Sequence, residues 1–261
     1  MKRNKFILSI STLLVALTLL YFGIQGFSSA DLPVENEHVT GNDTGINIGL
    51  DYPTTSELKE MVETADLVAI GDYENFDRSW NMSRDLEDIY KEDEDRYVEG
   101  RIYNFKVDEI IKGHVDSELI EINMRYSEII EFEESNSVVS PEGIIEKEAT
   151  EVTIHEIEVI DPLYIEPELN RKYLVFLSKD DDFNNYYGSI EPFSIVFDEN
   201  GTAELKSNLL DGEHGELTST TNHTIGGEDI IVEAHVEGEI DDNITGESIE
   251  DLVDLIEDIN D

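Results

Sequence analysis

The chain has no cysteine, one tryptophan and six prolines in 261 residues, and only 17 lysines and arginines against 62 aspartates and glutamates. Lack of cysteine removes disulfides, thiolate nucleophiles, cysteine metal sites and any lipid-modified cysteine together. The shortage of basic residues argues against nucleic acid or an anionic membrane surface as partner, because both need a positive footprint. All three charges before residue 31 are basic (Lys2, Arg3, Lys5), so residues 31–261 keep 14 basic residues against 62 acidic ones, a net charge of −48. Self-repulsion at that density opposes compaction at low salt and is largely screened at ~1 M, where the Debye length is roughly 3 Å. The balance fits either a generally acidic extracellular protein or, more sharply, halophilic adaptation to a saline or alkaline medium.

Catalytic signatures are also missing. There is no G-x-S-x-G, no phosphate-binding P-loop and no G-x-G-x-x-G. The six histidines (38, 114, 155, 214, 223 and 235) never pair at i, i+3 or i, i+4, so a zinc helix is not written here. Acidic pairs are so frequent that the two carboxylates of a glycosidase cannot be singled out.

What is present begins with residues 1–30. A basic start (Met1–Lys5), nineteen uncharged residues (Phe6–Ile24) and small residues at Ser28-Ser29-Ala30 read as a signal peptide. The apolar run is also close to the roughly 20 residues that span a bilayer, so an N-terminal membrane anchor, a transmembrane helix over 6–24, is the alternative. Either version places the rest outside the cytoplasm, secreted or anchored to the cell membrane.

Residues 31–53 read as a flexible tether and 54–261 as a single acidic, β-rich domain with exposed insertions near 74–96 and 127–149. A capping box at Thr54 and Glu57, with Leu58, Met61, Val62 and Ala65 on one stripe, predicts a helix near 55–65. A second helix is expected near 247–259, capped by Ser248 and Asp251. Between them, "YVEGRIYNFKVDEII", "LIEINMRY", "TEVTIHEIEVI", "RKYLVFLSK", "YYGSI", "FSIVFDENGTAEL" and "EDIIVEAHV" read as strands, with a bulge near His155 and a loop over 207–228. Gly113 and Gly201 are expected at turns, which makes Lys112 and His114 polar flanks rather than a catalytic pair. No βαβ rhythm is present. The expected fold is therefore mainly β: a small antiparallel OB-like barrel or sandwich with short flanking helices.

The stretches "ETADLVAIG", "YNFKVDEIIKG", "LIEINM" and "ELNRKYLVFLS" occur in an order that resembles a group of uncharacterised bacterial exported proteins with an AD-x-V-x-x-G, V-x-x-x-x-K-G and Y-L-x-F-L frame. That frame is distantly similar to the OB-type barrel of the netrin and tissue-inhibitor-of-metalloproteinase module. The resemblance implies a fold over about 56–200 and no activity. The disulfides and the zinc-chelating N-terminal cysteine of that module have no counterpart here, and Asn170 stands where the frame has glycine.

Two candidate sites follow. "DDDFNNYYGSIE" places Asp180, Asp182, Asn184 and Glu191 at calcium-loop positions 1, 3, 5 and 12, although Asn185 stands where that loop needs glycine. Calcium is the cofactor that this spacing would hold. OB-type barrels bind ligands along one face, and Tyr103, Phe105, Tyr126 and Tyr186 are aromatics available for such a face. The expected function is a non-enzymatic, envelope-associated binding or interaction module whose partner is an envelope or extracellular protein or ligand. An extracellular hydrolase with an acidic site, or a cation-binding surface protein, is the alternative. A deep pocket holding two carboxyls with raised pKa would favour the hydrolase.

Overall fold

A computed structural model describes residues 45–135, 138–139, 145–147, 152–212, 216–225 and 228–260. The strands are β1 (Gly45–Leu50), β2 (Leu67–Asn81), β3 (Tyr97–Lys112), β4 (Leu119–Ser135), β5 (Val138–Val139), β6 (Ile145–Lys147) and β7 (Val152–Ile160). They continue with β8 (Lys172–Asp180), β9 (Asn185–Gly188), β10 (Ser194–Phe197), β11 (Ala203–Leu205), β12 (Glu216–Ile225) and β13 (Glu228–Glu237). Two α-helices, α1 (Leu58–Thr64) and α2 (Ile249–Asn260), flank them.

The fold is mainly β, a barrel with a second sheet beside it. Strands β2, β3, β4, β9 and β8 close a ring: β2 pairs antiparallel with β3 and β8, β3 with β4, β8 with β9, and a parallel step between Ile122 and Tyr186 joins β4 to β9. The interior is filled by Leu67, Ala69, Tyr73, Tyr103, Phe105, Ile122, Tyr173, Val175 and Leu177. The other face of β2 and β8, with Val68, Ile70, Leu174 and Phe176, packs under α1, α2 and β10–β11. Burial on both faces explains why "LVAI" and "YLVFL" are continuous apolar runs rather than alternating ones.

The ring closes because β2 bends. Its pairing with β3 shifts register four times, and Gly71 sits where an added Cβ would overlap the Lys106 carbonyl and the Phe105 ring. Bulges of this kind coil a strand and let it serve both neighbours. They also break the period-2 signal. Residues 74–81 are thus the outer half of β2, not part of an insertion, and only 82–96 form a loop.

Strands β4 and β7 run on past the barrel as a ribbon, so residues 127–135 are strand rather than insertion. The ribbon faces the sheet β1–β13–β12 across a small core of Ile157, Val159, Ile230, Val232 and Ala234, with Ile46 and Ile48 against it. Three readings are corrected here. Residues 45–50 form β1 and not tether, because Ile46, Ile48 and Leu50 alternate into that core. Residues 216–225 form β12 and not loop. The β4–β7 register runs unbroken, so there is no bulge at His155; the apparent phase shift came from Ile154, which is solvent-exposed.

Helix α2 is capped as expected, Ser248 Oγ accepting from the Asp251 N–H at 3.1 Å and donating to its carboxylate at 2.7 Å. At α1 the expected capping box of Thr54 and Glu57 does not form: Glu57 is itself the N-cap residue and no side chain caps the helix, while the Thr55 hydroxyl just before it accepts from the Glu57 N–H at 3.1 Å and donates to Glu60 at 2.6 Å. The expected transmembrane helix is also corrected. Among the described residues no helix is long and apolar enough to cross a membrane; at 1.5 Å per residue even α2 falls well short of a ~30 Å hydrocarbon core. Residues 6–24 lie outside the described residues.

Candidate functional site

The aromatic residues expected on a ligand face lie elsewhere. Tyr103, Phe105 and Tyr186 are buried in the barrel, where Tyr73 meets Tyr103 edge-on at 6.0 Å, Phe105 at 4.9 Å and Tyr173 at 5.0 Å between ring centroids. They alternate with polar residues because they fill the interior, which is also what a binding face would require, so alternation could not tell the two apart. Tyr126 alone is half-buried near the barrel end. The Arg101 guanidinium stacks 3.2 Å from its ring centroid, and Tyr164 packs edge-on at 4.9 Å.

The calcium spacing does not assemble a site. Asp180 Oδ1 accepts the N–H groups of Asp182 and Phe183 at 3.0 and 3.1 Å, a side-chain-closed turn between β8 and β9. Asp182 accepts from the Tyr90 hydroxyl at 3.3 Å, and Asn184 takes a left-handed φ of 53°. Glu191 lies apart, beyond β9, with its carboxylate accepting from the Ser207 hydroxyl. Among the described residues no group of three or more histidines and carboxylates could hold a metal ion.

At Gly113 φ is +88°, and an added Cβ would run into the Asp66 carbonyl. Lys112 Nζ donates to the carbonyls of Val62 and Glu63 at 2.6 and 3.4 Å, at the C-terminal end of α1. There it satisfies orphan acceptors and complements the helix dipole. His114 points to solvent beside Asp116. The lysine and histidine therefore form no pair. Gly201, at φ +78°, serves the β10–β11 turn.

A cluster with no local signature in the sequence joins the β2–β3 loop (82–96) to the β8–β9 turn. Arg84 lies between two rings, its Cζ 4.2 Å from the Trp80 centroid and 4.5 Å from that of Phe183. Trp80 and Phe183 meet edge-on at 5.2 Å, and Tyr90 reaches Phe183 at 6.2 Å. Burial lowers the Arg84 pKa, with Glu92 and Asp180 opposing that shift. Trp80 is anchored by a 3.0 Å bond from Nε1 to Asn123 Oδ1. The loop base is pinned by the buried amide of Asn81: its oxygen accepts from the Ser83 and Val98 N–H groups, and its nitrogen donates to the Asp93 and Arg96 carbonyls. On this fixed base Leu86 is 98% exposed, Tyr90 68% and Ile89 44%. They sit among Asp85, Glu87, Asp88, Glu92, Glu94 and Asp95.

A second polar cluster is interior. The Tyr52 hydroxyl donates to Asp161 Oδ2 at 2.5 Å, the Leu163 N–H to Oδ1 at 2.9 Å, and Arg125 Nε lies 3.3 Å away. Arg125 and Arg96 also hold Glu128, at 2.5 and 2.8 Å. Burial raises the Asp161 pKa, and burial with nearby Asp161 pushes Glu191 up to about 7. These are two carboxyls of the kind a hydrolase would need. However, the cavity that Asp161 lines with Arg125, Glu128, Ile48 and Leu50 is about 20 Å³, room for about one water, and every Asp161 oxygen is taken by the protein. The geometry is that of an internal latch between β4, β7 and the chain entering α1. Comparison with protein-family models, curated proteins and solved structures finds no match for the chain.

Proposed function

We propose that this protein is an extracytoplasmic, non-enzymatic binding module that engages a partner through the β2–β3 loop and the β8–β9 turn. The observation that carries this reading is the loop tip. Leu86, Ile89 and Tyr90 are held out to solvent on a base fixed by Asn81 and by the Trp80–Arg84–Phe183 stack. Exposed apolar side chains on a rigid loop are what a binding surface presents. In five-stranded barrels of this order, the loop after the first strand and the loop between the last two flank the ligand face. The ring of carboxylates around the tip selects the partner: a protein surface with an apolar patch bordered by lysine or arginine.

The test is retention of envelope and extracellular proteins on the immobilised full chain, compared with Leu86→Ser/Tyr90→Ser. Both positions are exposed, so the double variant should melt like the parent. Specific retention should be lost in the variant and weakened by salt in the parent. Equal retention by the two would reject the loop as the site.

A further inference from the structure

Among the described residues β12 pairs only with β13, so it is a free edge of the sheet β1–β13–β12. It runs ten residues with no register shift, and none of the ten is fully buried. A long, regular edge presents a row of unpaired backbone N–H and C=O groups, and proteins usually guard such edges with charge, proline or a bulge. Here the guard is missing. From Leu217 to Gly227 the chain has no Asp, Glu, Lys or Arg, the longest such stretch after residue 31 in a protein with 62 acidic residues.

We infer that β12 is the interface through which two copies of this chain associate, edge to edge and antiparallel about a two-fold axis. Charge selects the occupant. Two chains of the same strong negative charge repel wherever carboxylates meet, and β12 is a strand along which their backbones can approach without that. The pattern is self-complementary about Thr221. With Thr221 opposite its own copy, Leu217 faces Ile225, Thr218 faces Thr224, and Thr220 faces Asn222. Apolar thus meets apolar and hydroxyl meets hydroxyl or amide, as stable cross-strand pairs require. The same register sets Ser219 of the second copy opposite His223, whose Nε2 is buried and has no hydrogen-bond partner among the described residues. A symmetric strand pair is an isologous interface, self-complementary by construction.

Sedimentation of the full chain tests this. A reversible dimer should form and tighten as NaCl rises from about 0.05 M to about 1 M, because screening removes the long-range repulsion. Asn222→Glu, at an exposed position whose partner within the sheet is Ile231, sets one carboxylate from each copy diagonally across the interface. It should weaken association at least about threefold while leaving thermal melting unchanged, since like charges at neighbouring cross-strand positions destabilise strand pairs. With no native cysteine to interfere, Thr221→Cys should crosslink to its own copy with a short thiol-specific reagent, and Ser117→Cys, exposed in the β3–β4 turn, should not. A chain that stays monomeric at every salt overturns the proposal. So does a dimer indifferent to Asn222→Glu, or equal crosslinking at 117 and 221. A monomer that instead binds an added extended peptide of unrelated sequence would give the edge to a different partner and overturn the two-copy assignment.

Discussion

In the five-strand ring every strand has a partner on both sides, whereas in the sheet beside it β1 and β12 each pair, among the described residues, with β13 alone. The two regions also fill their cores differently. Inside the ring are Tyr73, Tyr103, Phe105 and Tyr173; between the ribbon and the open sheet are Ile157, Val159, Ile230, Val232 and Ala234. Closure explains both differences. A closed ring has no edge to guard, and its interior is a fixed volume that large rings fill well. An open sandwich is held by a thin aliphatic layer and leaves edges to be managed by sequence. Stability should therefore be concentrated in the ring, and adaptability in the sheet.

The largest expected effect tests that division directly. Phe105→Ala empties the centre of the ring and should cost about 3–5 kcal/mol, lowering protection of all strands together; Ile157→Ala should cost about 2–5 kcal/mol. The second change should first raise amide exchange in β1, β12 and β13, because poorly connected units open locally. Hydrogen exchange read by mass spectrometry separates the cases. Equal protection of β13 and β8 in the parent would erase the distinction.

The same contrast governs what could be read from the sequence. The ring was legible because each inward position of β3 and β8 carries a large apolar residue, so period and burial agree. In the open sheet that agreement fails. Six residues, "GINIGL", hold β1, too few and too glycine-rich to separate from a linker. "LTSTTNHTI" is polar on both faces of β12, and its β-branched threonines register as strand only once β13 is seen beside it. The outer half of β2 was hidden by bulges. The loop cluster was hidden for a different reason: Trp80, Arg84 and Phe183 lie in two segments about 100 residues apart, and no local period links them. The calcium spacing failed the other way, since in so acidic a chain carboxylates fall at any chosen spacing.

A smaller effect probes the seam between the two regions. Glu191 N–H donates to the Pro53 carbonyl at 3.0 Å and its carbonyl accepts from the Thr55 N–H at 2.9 Å, tying the chain after β1 to the end of the ring. Its carboxyl is pushed up to about 7 by burial, against ~4.3 when unfolded. Between those values the folded state holds the proton and the unfolded state does not. Its contribution is therefore fully present below about pH 4.3 and is lost as pH rises through 7. Glu191→Gln keeps the neutral form at every pH. It should match the parent near pH 4 and exceed it by ~1–3 kcal/mol near pH 8. Denaturant melts at the two pH values decide it, and a constant difference would show that the proton is not held there.

Smaller again is the change at Tyr73, whose hydroxyl is buried in the ring with no partner among the described residues. An orphaned buried hydroxyl is a cost, so Tyr73→Phe should stabilise by about 1 kcal/mol. Loss of stability would mean that the ring interior holds a partner for that oxygen, and closure would then be less complete than the packing indicates.

The smallest effect belongs to Lys112 and His114. The lysine reaches two carbonyls at the end of α1, where charge and orphan acceptors coincide. Interactions of this kind at a partly exposed helix end contribute about 0.3–1 kcal/mol. His114 faces solvent beside Asp116, which is itself exposed. Lys112→Ala should thus lower stability by a fraction of a kcal/mol, and adding His114→Ala should change nothing further. The effect should shrink in salt, since helix-terminal charge is screened. If the ring alone sets global stability, the loss should appear as faster exchange of the last amides of α1 rather than as a lower melting point. A lower melting point would show that α1 is part of the unit that closes the ring, because Met61 and Val62 pack on the outer face of β2 and β8.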